Sequence, residues 1–142
     1  MKTLIVYTTK SGASRDCAEL LASKINNCFI CDLSKQVPDI GSFDMVILGS
    51  GVRMGKIYKP MKNFIENNMQ VLLVKKTAFF LCNAYPDTWK KTVEKNIPKD
   101  LSDRAICIEP LGGIPLFTSP KNGNWILSEH VDRLVQAVTL KG

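Results

Sequence analysis

Apolar residues fall along this chain in two patterns. Short, nearly unbroken runs recur at residues 2–8, 28–33, 43–50, 77–82 and 104–108. Runs such as Leu4-Ile5-Val6-Tyr7 and Met45-Val46-Ile47-Leu48 do not alternate with polar residues, which is the signature of strands buried on both faces. Between the runs lie longer stretches with a single apolar stripe. Cys17, Ala18, Leu21, Ala22 and Ile25 make one over 15–25, and Met61, Phe64 and Ile65 make another over 60–68, where Pro60 suits a first helical position. Trp89 and Val93 point inward from a polar helix at 87–96, stopped before Pro98. The last helix has its stripe at Leu127, Val131, Leu134, Val135 and Val138. Residues 69–74 extend the second helix or begin a connector. Loops are marked by Pro38, Asp39, Gly41 and Ser42, and by the Gly/Pro/Asn-rich stretch 110–124.

Five short strands separated by helices predict an α/β three-layer sandwich, with helices on both faces of a five-stranded parallel sheet. Right-handed crossovers leave few arrangements, and the doubly wound order 2-1-3-4-5 is the expected one. A single domain over residues 1–142 accounts for the whole pattern. In this order the chain reverses between strands 1 and 3, and ligands bind beyond the carboxyl ends of the strands at that point. Three loops rich in small polar residues meet there: 8–14, 50–58 and 82–87.

The first loop has the makings of a phosphate cradle. Thr9, Ser11 and Ser14 offer hydroxyls, and the following helix offers free backbone N–H groups at its start. Neither GxxxxGK[ST] nor GxGxxG is present, so the loop suits one monophosphate rather than a triphosphate or dinucleotide. Lys10 either meets the phosphate or points to water. A phosphoacceptor domain of the same strand order needs acidic residues after strand 1 and an Asp ending strand 3. This chain has Thr8-Thr9 and Gly49-Ser50 there.

Charge and cysteine content narrow the partners. With 19 Lys and Arg against 13 Asp and Glu, the net charge is +6. The basic residues are scattered, with pairs only at Lys75-Lys76 and Lys90-Lys91, so nucleic acid is not an expected partner. No apolar run approaches the roughly 20 residues that span a bilayer. The chain starts straight into a strand pattern without a cleavage-site pattern, and a cytoplasmic protein is expected. Five cysteines without a secretory signal argue against a disulfide framework. Cys28 and Cys31 form a CxxC, but in a strand residues three apart face opposite ways. His130, the only histidine, sits off the last helix's stripe and is expected at the surface. With one His and dispersed cysteines, no metal site is expected.

Thr9-Lys10-Ser11-Gly12-Ala13-Ser14 resembles the flavodoxin phosphate loop, [ST]-x-[ST]-G-x-[ST], at the right place after strand 1. Gly49-Ser50-Gly51-Val52-Arg53-Met54-Gly55, with the helix from Pro60 behind it, resembles the flavodoxin-domain branch that contains menaquinone-dependent protoporphyrinogen oxidase. The resemblance covers nearly the whole chain and implies a flavodoxin-like fold and non-covalent FMN. It implies that Thr9, Lys10, Ser11, Gly12, Ala13 and Ser14 surround the phosphate. It also implies that Ser50, Gly51, Val52, Arg53, Met54 and Gly55, with Asn83, Ala84 and Tyr85, flank the isoalloxazine ring.

Within that frame Tyr85 is the candidate to stack on the ring, Met54 to cover its other face, and Arg53 to stabilise negative charge on the reduced flavin. The chain departs from the family in two ways. Electron-carrier flavodoxins are strongly acidic and this chain is basic. The oxidase branch has a long basic and aromatic segment after strand 5, where this chain has only residues 111–124, so a heme-pathway activity is not carried over. The expected function is FMN-dependent electron transfer with a redox partner protein or a small electron acceptor. An FMN-dependent oxidoreductase acting on a quinone, and a flavin-free binding module, are the alternatives.

Overall fold

The apolar runs at the centre of the sheet become strands that feed two cores at once, while the run at 28–33 leaves Phe29 and Ile30 exposed. In a computed structural model, which describes residues 1–114 and 125–141, the order is β1 (Thr3–Thr8), α1 (Ala13–Lys24), β2 (Cys28–Asp32), β3 (Met45–Arg53), β4 (Lys56–Ile57), α2 (Lys59–Asn67) and α3 (Met69–Val74). There follow β5 (Lys76–Cys82), a 3-10 turn (Pro86–Thr88), α4 (Trp89–Asn96), α5 (Lys99–Arg104), β6 (Ile108–Pro110) and α6 (Ser128–Lys141). The parallel strands lie in the order β2-β1-β3-β5-β6, with β1 and β3 paired from Thr3↔Met45 to Thr8↔Ser50. This is the expected doubly wound order. The two-residue β4 adds a sixth strand, antiparallel to the end of β3.

Alternation along the central strands divides their side chains. Leu4, Val6, Val46, Leu48, Phe79 and Leu81 join Met61, Phe64, Ile65, Leu72 and Leu101 on one face. Ile5, Tyr7, Met45, Ile47 and Phe80 join Cys17, Leu21, Val131, Leu134 and Val138 on the other. Both faces are therefore covered, as a parallel sheet requires. Burial of each such side chain contributes about 1.5–3 kcal/mol. Gly49 lies opposite Phe80 across the β3–β5 ladder, and a Cβ there would fall within the Phe80 ring.

Three expectations are corrected. Residues 52–55 do not form an open loop. β3 continues to Arg53 and turns back through Met54 and Gly55, both with positive φ (53° and 75°), as in a type I′ hairpin. Residues 69–74 form a separate helix, because Asn68 ends α2 with its amide on the Phe64 and Ile65 carbonyls. The fifth parallel strand starts later than 104. Arg104 closes α5, where Leu101 is buried and Lys99 pairs with Asp103 one turn on. Ala105 caps that helix, and pairing with β5 begins at Ile106, whose amide donates to Thr77 O at 2.7 Å.

His130 is half-buried, with Nδ1 3.0 Å from Glu109 Oε1, which ties α6 to β6. On β2, Cys28 is half-buried and Cys31 buried, and both are free thiols. Most of the 110–124 loop lies outside the described residues. Among the described residues no helix is long and apolar enough to cross a membrane.

Candidate functional site

The loops after β1, β3 and β5 come together at the carboxyl edge of the sheet around a cavity of about 730 Å³. That volume lies within the range of small-molecule sites. Its position follows from the topology, since β1 and β3 are neighbours whose following chains depart to opposite faces.

The first wall is the turn from β1 into α1. Gly12 takes the left-handed conformation (φ 95°) that brings the chain into the helix. Its amide donates to Thr9 Oγ1 at 2.8 Å, and the Ala13 amide donates to Ser11 Oγ at 3.4 Å. Both hydroxyls accept inside the loop, so each keeps its own O–H to donate. Ser14 differs. Its Oγ is buried, faces the cavity at the start of α1, and has no hydrogen-bond partner among the described residues. The amides of Ser14 and Arg15 belong to the first helical turn, whose N–H groups find no carbonyl within the helix. A buried hydroxyl and free amides at the positive end of a 12-residue helix fit an anion with several acceptor oxygens.

The second wall is the β3–β4 hairpin. Gly51, Val52, Arg53, Met54 and Gly55 line the cavity, with Tyr58 just beyond. Gly51 has a steric reason to lack a side chain, because a Cβ would stand 2.6 Å from the Tyr58 ring. Lys10 Nζ sits over the same ring, 4.7 Å from its centroid, a cation–π contact that joins this wall to the first. Burial pushes the Tyr58 phenol above its ordinary value, against an opposing pull from Arg53, so the ring stays neutral at physiological pH. The hairpin is held from outside by Asn96 of α4. Its Nδ2 donates to Gly55 O at 2.8 Å, and its Oδ1 accepts from the Ile57 amide at 3.2 Å.

The third wall is the chain after β5. Asn83 Oδ1 accepts from the Tyr85 amide at 2.9 Å and its Nδ2 donates to Thr88 Oγ1 at 3.0 Å, which shapes the turn into α4. Asn83, Ala84 and Tyr85 line the cavity, and so do Thr88, Lys91, Thr92 and Lys95. Cys82, whose Sγ lies 3.7 Å from Cys17 Sγ, and Ile114 complete the lining.

The structure thus brings together twelve of the residues named from sequence. Thr9, Ser11, Ala13, Ser14, Gly51, Val52, Arg53, Met54, Gly55, Asn83, Ala84 and Tyr85 all line the cavity. Lys10 and Gly12 stand beside it, one over Tyr58 and the other as the helix cap. Ser50 stands behind it. Its hydroxyl accepts from Thr8 Oγ1 and the Tyr58 amide and donates to Gly51 O, so it is committed to the scaffold. Sequence reasoning missed Tyr58, Thr88, Lys91, Thr92, Lys95, Cys82 and Ile114. Two of these lay within loops already placed at the binding edge, Tyr58 in 50–58 and Cys82 in 82–87.

Comparison with known proteins agrees with this architecture. Residues 4–114 match the family model described as flavodoxin domain. Over 88 residues the chain is 28% identical to protoporphyrinogen IX dehydrogenase [quinone] of Escherichia coli K12, an alignment covering 58% of this chain and 49% of that protein. The chain thus spans about half the length of the curated relatives it matches. Among solved structures, two-electron reduced Megasphaera elsdenii flavodoxin superposes with a TM-score of 0.68 at 16% identity, over 97% of this chain and 98% of that one. A flavoprotein in complex with FMN from Lactobacillus acidophilus superposes with a TM-score of 0.62 at 18% identity, over 77% and 92%. The family match spans most of the chain, and the strand order and the cavity edge are those of its fold, so the chain belongs to the flavodoxin domain family.

Proposed function

We propose that this chain binds FMN without a covalent bond and serves electron transfer. The observation that carries the reading is Ser14 Oγ, a buried hydroxyl without a partner among the described residues, at the start of α1 and facing the cavity. Leaving such a group unpaired costs about 1–3 kcal/mol, and a phosphate oxygen would remove the cost. Thr9 and Ser11 donate beside it through their remaining O–H groups, and the first-turn amides complete the cradle. The flavin, when bound, supplies the redox chemistry.

The rest of the site would hold the ring. The Gly51–Gly55 backbone and the Asn83–Tyr85 turn both line the cavity, and both are fixed by side-chain hydrogen bonds. Met54 and Tyr85 both line the cavity and are exposed. Arg53 adds positive charge on the ring side, which favours an anionic reduced cofactor. A second reading, an FMN-dependent oxidoreductase with a small quinone as acceptor, is favoured by the 28% identity to the E. coli quinone-linked dehydrogenase. In both readings the partner is a redox protein or a small acceptor, in the cytoplasm, a location that cell fractionation tests. The deciding experiment is titration of the purified, flavin-stripped protein with FMN, followed by quenching of flavin fluorescence. Saturable quenching supports the proposal. Unquenched fluorescence at a large excess of protein overturns it in favour of a flavin-free binding module.

A further inference from the structure

The cavity mouth carries one sign of charge. Arg53, Lys91 and Lys95 line it and are exposed, and no Asp or Glu is among its described lining residues. Lys91 and Lys95 are four residues apart on α4 and so share a face. Lys95 Nζ reaches the hairpin tip, 3.9 Å from where a Cβ on Gly55 would stand.

Two large apolar side chains stand in water at the same mouth. Met54 is 87% exposed at the hairpin tip, and Tyr85 is 76% exposed on the facing turn. The type I′ turn holds Met54 outward, and Asn96 holds the turn. A small anion inside the cavity would meet only the cations, and a flavin ring there would cover only the inner sides of Met54 and Tyr85. A protein surface laid across the mouth would cover both. An apolar centre within a charged, solvent-accessible rim is the general anatomy of a protein interface.

We propose that this mouth docks an acidic electron-carrier protein, one that presents carboxylates around its exposed redox centre. The proposal rests on the reading of the cavity as the FMN site, since docking there brings a partner's centre to the ring edge. Charge complementarity would steer the encounter and fix its orientation, and the apolar pair would supply the dry contact. Encounters of this kind are small and short-lived, so the net +6 of the chain acts through where the charge sits.

The test uses a plant-type ferredoxin, a strongly acidic one-electron carrier, immobilised for surface plasmon resonance. Two double variants carry the same change in net charge. Lys91→Glu with Lys95→Glu alters the mouth. Lys24→Glu with Lys141→Glu alters exposed positions in the last turns of α1 and α6. Circular dichroism checks the fold of each. The mouth pair is expected to weaken ferredoxin binding by at least about tenfold, and the distant pair by less than about threefold. Met54→Ser with Tyr85→Ser is expected to weaken it with the salt dependence unchanged.

Equal losses from the two charge pairs overturn the proposal, as does absence of ferredoxin binding by the wild type. Tighter binding of basic cytochrome c than of ferredoxin also overturns it. So does succinate binding that depends on Lys91 and Lys95 when ferredoxin binding does not, an outcome that favours a small anion. The FMN titration of the wild-type protein is a separate readout, so failure of the flavin reading is distinguishable from failure of docking.

Discussion

Ser14→Ala is expected to move two measured quantities in opposite directions. In the flavin-free protein the Ser14 hydroxyl is buried, 1% exposed as a residue, and unpaired. Removing it relieves a desolvation cost of about 1–3 kcal/mol. Ala is also the better helix former at the second residue of α1, by a few tenths of a kcal/mol. The flavin-free variant should gain about 1 kcal/mol of stability, which is roughly 3 °C in melting temperature for a domain of this size. In the proposed FMN complex the same hydroxyl would donate to a charged phosphate oxygen, a bond that contributes about 1.5–3 kcal/mol. FMN affinity should therefore fall by about 10- to 100-fold. Urea unfolding of the flavin-free protein reads the first quantity and FMN fluorescence quenching reads the second. Ser23→Ala in the same helix, where the residue is exposed, serves as a control for helix propensity. An affinity within about twofold of wild type refutes the reasoning, because the hydroxyl then has no role at the phosphate. A less stable flavin-free variant also refutes it, because the hydroxyl then has a partner within the protein.

Gly49→Ala tests the central packing. The new Cβ would fall within the Phe80 ring, which is fully buried and has no solvent to swing into, so a loss of about 1–3 kcal/mol or more is expected in the urea midpoint. Adding Phe80→Leu to Gly49→Ala should recover part of the loss. Arg53→Ala should make the two-electron reduction potential of the FMN-loaded protein more negative by roughly tens of millivolts, since an exposed cation acts through solvent. An unchanged potential would place Arg53 away from the ring. Burial pushes the Cys28 and Cys107 thiols up from 9 to about 11. Above pH 9 the unfolded chain releases these protons while the folded chain keeps them, so stability is intact below pH 9 and declines as pH rises through 9 to 11. Urea midpoints across that window should fall less steeply for Cys28→Ala with Cys107→Ala.

The parts of the fold legible in the sequence are those with strong periodicity. β1, β3 and β5 are unbroken apolar runs because both their faces are covered, and α1 and α6 show clean stripes because one face of each is buried. What was not legible has local causes. Lys56-Ile57 is too short to show a strand pattern, and Met54 occupies a positive-φ turn position where Asn or Gly would have announced a hairpin. α5 offers a single apolar residue, Leu101, so no stripe exists to read, and the apolar run after it drew the strand's start back to 104.

The site divides in the same way. The Thr9–Ser14 loop is written in residue types that seldom cluster without a reason. Thr88, Lys91, Thr92 and Lys95 are ordinary on a helix surface, and only the packing of α4 beside the hairpin brings them to the cavity. Ser50 shows the converse. The family resemblance put it beside the ring, whereas its hydroxyl is fully engaged with Thr8, Tyr58 and Gly51.

The Asn96 clamp gives the hairpin side of the cavity a mechanical identity. β4 has only two residues and Lys56 is exposed; Asn96 tethers the hairpin tip to α4, while buried Ile57 and the Tyr58 amide on Ser50 Oγ anchor its base. Asn96 Nδ2 also donates to Thr92 O within α4, so one residue belongs to both elements. Opening of the eight-residue helix is therefore expected to release the hairpin tip. The tip of that side of the site thus depends on a helix about 40 residues further along the chain.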